Sequence, residues 1–252
     1  MNPVAGGGDP AEYGDRIADV YDDWHGERDE VGPIVEFLAA WAGERPALEL
    51  GIGTGRIALP LTARGIRVDG IDASARMVTR LHAKAGGAGL AVGIGDFAEV
   101  RAPGGPYGLV YVVFNTFFAL LTQEDQVRCF KGVAACLEPG GAFVLEAFVP
   151  DLALYQHGQQ RIRVDGFEED ATRISAGLHD RASQRLRSRQ LLLTADGVQT
   201  YPVELRYAWP SELDLMARLA GMTLAARWEG WQQRPFTSAS PSHVSVWQTP
   251  GG

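Results

Sequence analysis

The stretch ALELGIGTGRIALPL, residues 47–61, decides the fold of this chain. A short apolar run that carries one acid, Glu49, ends at Gly51, and Gly53 and Gly55 follow at alternate positions. The residues after the last glycine have the pattern of a helix. A strand, a turn bare of side chains and a helix N-terminus together predict a site for a ligand that lies against the backbone. The spacing GxGxG does not fit the dinucleotide motif GxGxxG, so we expect a ligand without a pyrophosphate.

Predicted helices come before this stretch, and predicted strands and helices alternate after it. A helix is predicted over residues 9–24, with Asp9 as its N-cap, and a second helix over residues 31–42. Five strands then alternate with helices over residues 45–148. This pattern predicts an α/β fold with a doubly wound, mostly parallel sheet that carries helices on both faces. In such sheets, ligands bind at the carboxyl ends of the strands.

The pattern changes after Pro150. Segments with a period of two, separated by Gly, Asp and Pro, fill residues 151–209 and predict an antiparallel β insertion after the fifth strand. Residues 210–252 are expected to form one more helix and a strand pair that returns to the core sheet, which then has seven strands. The first predicted unit, residues 1–150, holds the N-terminal helices and the ligand-binding core.

The amino-acid composition of the chain limits the kinds of partner that it is expected to bind. The formal net charge is −8 at pH 7, and binding to a nucleic-acid backbone needs clustered Lys and Arg, so we expect no nucleic-acid partner. Cys129 and Cys136 lie on one predicted helix face as core residues, and the five histidines lack metal-ligand spacing. The N-terminus lacks the pattern of a signal peptide, and no apolar run is long enough for a membrane span. We therefore expect a cytoplasmic protein without a metal or a membrane partner.

Two acids close later strands of the predicted sheet. Asp72 follows the second strand, 21 residues after Gly51, where a carboxylate can accept both hydroxyls of a ribose. Asp96 follows the third strand and can accept from the exocyclic amine of adenine, with Phe97 beside the ring. Each acid taken alone could equally be a turn residue or a helix cap. Suitable residues at the ends of three neighbouring strands together favour a nucleoside-containing ligand.

The motifs ELGIGTGR, GIDAS, GDF and LEPGGAFVLEAF, in this order, resemble those of class I S-adenosylmethionine-dependent methyltransferases. The resemblance covers about residues 10–150 and implies a Rossmann-like fold, the cofactor S-adenosyl-L-methionine and its product S-adenosyl-L-homocysteine. It implies that Glu49 organises the glycine loop and that Arg56 pairs with the cofactor's carboxylate, while a solvated helix-start arginine remains the other interpretation of Arg56. Met77 packs on the adenine or is a plain core residue. The cofactor residues that the resemblance implies are Tyr13, Tyr21, Glu49, Gly51, Gly53, Gly55, Arg56, Asp72, Ala73, Met77, Gly95, Asp96, Phe97 and Phe114.

The fourth strand ends in FNTF, residues 114–117. At this place, methyltransferases that act on DNA bases or protein glutamine carry a motif that resembles N/D-P-P-Y/F. The missing prolines speak against those substrates. Methyl transfer from a sulfonium needs alignment and exclusion of water more than acid–base help, so a base matters only for a hydroxyl or an acidic carbon. Asn115 could orient a polar group or cap the next helix. Candidate catalytic residues are His25, Asn115 and Glu146; candidate substrate contacts are Trp24, Asn115, Phe148 and Tyr207; weaker candidates for a base are His157, His179 and His243.

The insertion resembles the one in methyltransferases of sugar and natural-product tailoring pathways, where it roofs the active site and often contributes to a dimer. This resemblance implies a small-molecule acceptor, a role in secondary metabolism and a possible homodimer. Two other hypotheses stay open. One is cofactor-dependent chemistry without methyl transfer, such as cyclisation, and the other is a cofactor-binding partner subunit without turnover.

Overall fold

The computed structural model describes residues 9–25, 31–155 and 159–251. This part of the chain contains seven α-helices: α1 (Glu12–Ile17), α2 (Tyr21–His25), α3 (Val31–Ala42), α4 (Ala58–Ala63), α5 (Ala75–Ala83), α6 (Gln123–Cys136) and α7 (Pro210–Leu219). It also contains eleven strands: β1 (Ala47–Leu50), β2 (Val68–Asp72), β3 (Val92–Ile94), β4 (Tyr107–Val112), β5 (Leu137–Phe148), β6 (Gln160–Phe167), β7 (Ala171–Asp180), β8 (Arg185–Thr194), β9 (Gly197–Arg206), β10 (Thr223–Trp228) and β11 (Ser242–Gln248).

Seven strands form the central sheet, in the order β10-β11-β5-β4-β1-β2-β3. Neighbouring strands are parallel from β5 to β3, whereas β11 is antiparallel to both β5 and β10. Every residue of β1 and β4 is buried, as expected for strands with helices on both faces of the sheet. The predicted α/β fold with a doubly wound, mostly parallel seven-stranded sheet is confirmed.

Alternate residues of the strands supply an apolar layer on each face of this sheet. On β5, Phe143 and Leu145 belong to one layer, and Ala142 and Val144 belong to the other. Helices α6 and α7 pack on the first layer, and helices α3 and α4 pack on the second. Glu146, near the carboxyl end of β5, has the same parity as Ala142 and Val144, and it lies on the face of the second layer, where Trp231 donates to it.

The predicted insertion forms a separate antiparallel sheet of β6, β7, β8 and β9 in chain order, directly after β5. Arg206, the last residue of β9, joins this sheet to the core. Its guanidinium donates to Gln126 Oε1 at 2.6 Å, to Gln184 Oε1 at 3.2 Å and to Glu212 Oε1 at 2.8 Å. These partners belong to α6, to the turn before β8 and to α7, so one buried side chain connects the insertion to two core helices. The unit boundaries at residues 150 and 209 stay a prediction.

The N-terminal region differs from the predicted single helix over residues 9–24. Two short helices, α1 and α2, are separated by a turn at residues 18–20. Asp9 does not cap α1: its Oδ1 accepts the N–H of Ala11, which occupies the N-cap position. The break lets Ile17 and Ala18 pack against Met77 while Asp19 pairs with arginines of α5. Tertiary contacts therefore override the continuous helical pattern.

Replacing Arg206 with Met is expected to lower the free energy of unfolding by about 3 kcal/mol, because removing one partner of a buried ion pair leaves Glu212 without its counter-charge. Glu204→Gln is the control, since the Glu204–Arg185 pair is longer, 3.4 Å, and more exposed. Such pairs contribute at most about 1 kcal/mol. Urea unfolding of both variants measures the difference, and equal losses would contradict the role of Arg206 as the connection between insertion and core.

Candidate active site

The three glycines of residues 51–55 all have left-handed backbone angles, with φ of +72°, +55° and +80° for Gly51, Gly53 and Gly55. They differ in what surrounds them. A Cβ on Gly51 would lie 2.6 Å from the Thr116 side chain, and one on Gly55 would lie 2.2 Å from Leu81. A Cβ on Gly53 would meet nothing closer than a backbone oxygen at 4.0 Å. The first and last glycines are therefore required by packing, whereas Gly53 faces open space.

Asp72, the last residue of β2, fastens this glycine loop to the sheet. Its Oδ2 accepts the N–H of Gly53 at 2.7 Å, and its Oδ1 accepts the N–H of Ser74 at 2.8 Å. Burial raises the pKa of Asp72, and these two N–H groups act in the opposite direction. Ala73 lies inside the same turn. The turn leads into α5, where Met77 is buried against Ile17 and Tyr201.

The turn after β3 lies beside the end of β2. The N–H of Gly95 donates to the carbonyl of Asp72 at 2.9 Å, which holds the two strand ends together. Asp96 Oδ1 accepts the N–H of Ala98 at 2.8 Å, so this acid caps its own turn. Phe97 is buried within the apolar layer that contains α6. The structure thus brings the motifs around residues 51–55, 72 and 95–97 to one edge of the sheet.

Glu49 and Arg56 lie on either side of the glycine loop. Glu49 is buried on β1, where the hydroxyl of Tyr111 donates to its Oε2 at 2.9 Å. Burial raises the pKa of Glu49 to about 8, against the lowering effects of Tyr111 and of the Arg56 charge. The Arg56 guanidinium carbon lies 4.8 Å from the centre of the Phe114 ring. Among the described residues, the buried Nε and Nη1 of Arg56 have no hydrogen-bond partner.

The segment after β4 has two consecutive left-handed residues, and hydrogen bonds connect both of them to β5. Phe114 and Asn115 are both left-handed, with φ of +60° and +63°. Glu146 Oε2 accepts the N–H of Phe114 at 2.6 Å, and its Oε1 accepts Nε1–H of Trp231 at 2.8 Å. Asn115 Oδ1 accepts the N–H of Phe148 at 2.7 Å, so its side chain bridges two strands instead of capping the turn that follows.

The N-terminal helices contact both loops of the site through acids that the sequence reasoning missed. Asp15 on α1 accepts the hydroxyl of Ser74 at 2.6 Å. Asp22 on α2 accepts the hydroxyl of the buried Thr54, inside the glycine loop, at 2.6 Å, and Lys84 Nζ at 2.8 Å. The sequence signal for these contacts was weak, since the acids of residues 9–24 were compatible with a solvated helix face. Tyr13 and Tyr21 belong to the same two helices.

The remaining candidates are more dispersed. Tyr207 is buried, and its hydroxyl forms a 2.9 Å hydrogen bond with Nε2 of His179, whose pKa is lowered by burial. The Phe148 ring packs edge-on against Phe118, with centroids 5.0 Å apart. Burial lowers the pKa of His243 to about 3, so this side chain is neutral. The side chains of Trp24 and His25 lie outside the described part of the chain, as does the whole of His157.

Two kinds of feature are absent from the described residues. No cluster of three or more His, Cys, Asp or Glu side chains there could hold a metal ion. No helix within residues 9–25, 31–155 and 159–251 is long and apolar enough to span a membrane.

Comparisons with known proteins identify the family. A family model for the methyltransferase domain matches residues 47–141. The solved CcbJ methyltransferase from Streptomyces caelestis is 36% identical, with a TM-score of 0.90 over 97% of this chain and 100% of that one. The cypemycin N-terminal methyltransferase from a Streptomyces species is 28% identical over 83% of this chain and 87% of its own length.

A third comparison extends the agreement in fold. SAM-bound CalS10 from Micromonospora echinaspora, an amino pentose methyltransferase of calicheamicin biosynthesis, has a TM-score of 0.68 and 21% identity, covering 92% of this chain and 96% of that one. The full-length match to CcbJ, together with the methyltransferase domain over the glycine loop, supports methyltransferase activity with S-adenosyl-L-methionine as cofactor. The chain belongs to the class I S-adenosylmethionine-dependent methyltransferases.

Proposed function

We propose that this methyltransferase acts on the amine nitrogen of a small molecule in secondary metabolism. The observation that carries the proposal is the hydrogen bonding of two candidate catalytic residues, the candidate base Glu146 and the candidate orienting residue Asn115. Both oxygens of Glu146 accept N–H groups, and the Asn115 oxygen accepts a third. A neutral amine carries its own lone pair and needs no base, whereas a hydroxyl does. The Streptomyces relative named for methylation of an N-terminus supports an amine as acceptor.

The residues at the strand ends fit the cofactor. We assign Asp72 to the ribose hydroxyls, because each of its oxygens accepts one N–H and retains a further lone pair. Arg56 is assigned to the carboxylate, because two of its nitrogens are buried without a partner among the described residues. The open space beside Gly53 is assigned to the methionine part. The other proposed contacts are Tyr13, Tyr21, Glu49, Gly51, Gly55, Ala73, Met77, Gly95, Asp96, Phe97 and Phe114.

The proposed methyl transfer depends more on the positioning of the two reactants than on acid–base catalysis. When bound, the cofactor supplies a methyl group that is already activated on a sulfonium. The chain's own residues align the reactants and exclude water. Asp15 and Asp22 hold α1 and α2 against the two loops of the site, which supports a covering role for these helices. We assign the acceptor wall to Trp24, Asn115, Phe148 and Tyr207.

We assign two roles to the insertion. It roofs the acceptor side, because Tyr207 follows β9 and packs into the same apolar layer as Phe118. It also contributes to a homodimer, because its outer face exposes Ile162, Val164 and Val198 by 79%, 58% and 62%. The two cysteines are free thiols, which supports a reducing, cytoplasmic compartment.

Gly53→Ala is expected to weaken binding of S-adenosyl-L-homocysteine at least tenfold, or about 1.4 kcal/mol, because the new Cβ fills the space assigned to the ligand. Gly65→Ala is a matched control, since Gly65 also has a left-handed backbone, φ +88°, with nothing within 4 Å of a Cβ. Both variants lose about 1 kcal/mol of stability from the backbone angle. Calorimetry on the folded variants measures the affinities, and equal affinity for the two would contradict the assignment of the loop.

The titration of Glu49 predicts a pH dependence of stability. Its folded pKa of about 8 lies above the ordinary value of 4.5, so between these limits the folded chain binds more protons than the unfolded chain. The free energy of unfolding therefore falls as pH rises through this window. Glu49→Gln is expected to reduce this dependence of the free energy of unfolding on pH, in addition to any change in stability that is the same at every pH. Urea unfolding from about pH 5 to about pH 8.5 tests this, and parallel slopes would show that Glu49 is already ionised at low pH.

The acceptor proposal is tested with labelled cofactor and pairs of small molecules that differ only in an amine or a hydroxyl. We expect label in the amines and none in the alcohols. The kcat/KM for the amine should fall about tenfold for each pH unit below the pKa of that amine, and the profile should shift when an amine of different pKa replaces it. Methylation of the alcohols, or a profile that stays fixed for all amines, would indicate a protein base instead.

A further inference from the structure

Glu146 receives two N–H groups from opposite sides. Near the carboxyl end of β5, its Oε2 accepts from the backbone of Phe114 at 2.6 Å, and its Oε1 accepts from the Trp231 indole at 2.8 Å. Trp231 is buried, and its ring packs edge-on against Phe37 with centroids 5.4 Å apart. A carboxylate has an acceptor on each oxygen, whereas a carboxamide of the same shape has only one. The geometry at this position therefore requires the acid itself.

The bond from Glu146 fixes a backbone that Phe114 does not prefer. A left-handed conformation is uncommon for a bulky residue and persists only where the surrounding structure imposes it. Phe114 adopts it at φ +60°, and Asn115 follows at φ +63°. The second constraint comes from Asn115, whose side chain accepts the N–H of Phe148. Two bonds to β5 therefore hold a strained turn at the end of β4.

The strained turn sets the place of the Phe114 ring. The ring lies under the Arg56 guanidinium, 4.8 Å from its central carbon, in the geometry of a cation–π contact. Phe114 and Trp231 belong to the same apolar layer, on the face of the sheet that carries α3 and α4. Arg56 keeps two buried nitrogens, Nε and Nη1, without a partner among the described residues. A planar guanidinium held against a ring presents such donors in a fixed direction.

We infer that Glu146 is a positioning residue for the cofactor's carboxylate: it holds Phe114 in the left-handed conformation, and the Phe114 ring in turn orients Arg56. The inference rests on the proposed role of Arg56 as the carboxylate ligand. It gives Glu146 a different task from the general base that the sequence alone suggested, since the task requires two accepted hydrogen bonds and no proton transfer.

The test compares two ligands that differ in the amino-acid part, which contains the carboxylate. S-adenosyl-L-homocysteine carries the amino-acid part, whereas 5′-methylthioadenosine has the same adenosine and thioether without it. Glu146→Met, which removes both acceptors and keeps a side chain of similar length, is expected to weaken binding of the first about tenfold and to leave binding of the second within about twofold, as measured by calorimetry. Trp231→Phe is the matched control, since it removes the other donor and keeps the Phe114 bond. Both affinities of this control should stay within about twofold of wild type.

Four outcomes would overturn the inference. Equal weakening of both ligands by Glu146→Met would mean a general structural role, and no weakening would mean no role. A Trp231→Phe effect as large and as selective would place the action on the indole side. If Glu146→Met does not fold, Phe114→Leu takes its place, because it removes the ring face but keeps apolar bulk, and unchanged binding of S-adenosyl-L-homocysteine would then refute the inference.

Arg56→Gln separates this inference from the proposed function. Selective loss of S-adenosyl-L-homocysteine binding in Arg56→Gln supports Arg56 as the carboxylate ligand. The same loss without any loss in Glu146→Met would refute the role of Glu146 alone. Unchanged binding in Arg56→Gln would refute the assignment of Arg56 in the proposed function, and the inference with it.

Discussion

The carboxylate of Asp72 is the contact on which the rest of the candidate site depends. It stands at the end of β2 and accepts backbone N–H groups from Gly53 and Ser74. The glycine loop after β1 and the turn into α5 are thereby held at a fixed separation, although Asp72 is 19 positions after Gly53 in the sequence. Without this bond, a loop of three left-handed glycines would have many accessible conformations, since glycine loses more backbone freedom on folding than any other residue. A preformed site requires that this freedom be lost before the ligand arrives.

Acids elsewhere in the site are used in the same manner. Glu49 accepts from Tyr111, Glu146 accepts from Phe114 and Trp231, and Asp22 accepts from Thr54 and Lys84. In each case the acid fixes the position of a neighbouring segment, since a buried or half-buried carboxylate needs donors to offset its desolvation. Arg56 is the exception in this neighbourhood, because two of its buried donors lack a partner among the described residues. An enzyme whose cofactor brings an activated methyl group can use its acids for geometry, because the reaction places little demand on them as proton acceptors.

Buried polar contacts also attach the insertion to the core. Arg206 joins β9 to α6 and α7 through Gln126 and Glu212, and Gln126 also donates to the backbone carbonyl of Arg206. A second contact runs from the insertion to the N-terminal helices, where Tyr201 of β9 packs with Ile17 and Met77. The insertion therefore contacts both the N-terminal helices and the core helices α6 and α7. Its position is set by directional bonds at one end and apolar packing at the other.

The sequence by itself determined the sheet and the class of cofactor, and it predicted the loops assigned to that cofactor, because these depend on local order along the chain. Glycines at alternate positions after β1 and acids at the ends of β2 and β3 are readable from spacing, and the strand ends of a parallel sheet must meet at one edge. Only the tertiary structure decided what Glu146 and Asn115 contact, because β4 and β5 are neighbours in space while their ends lie 32 residues apart. It also decided that the N-terminal helix breaks at residues 18–20, since the break depends on where Met77 and the α5 arginines lie. Sequence spacing cannot reveal such contacts, because a side chain's partners across a sheet depend on strand order and register, which are properties of the assembled fold.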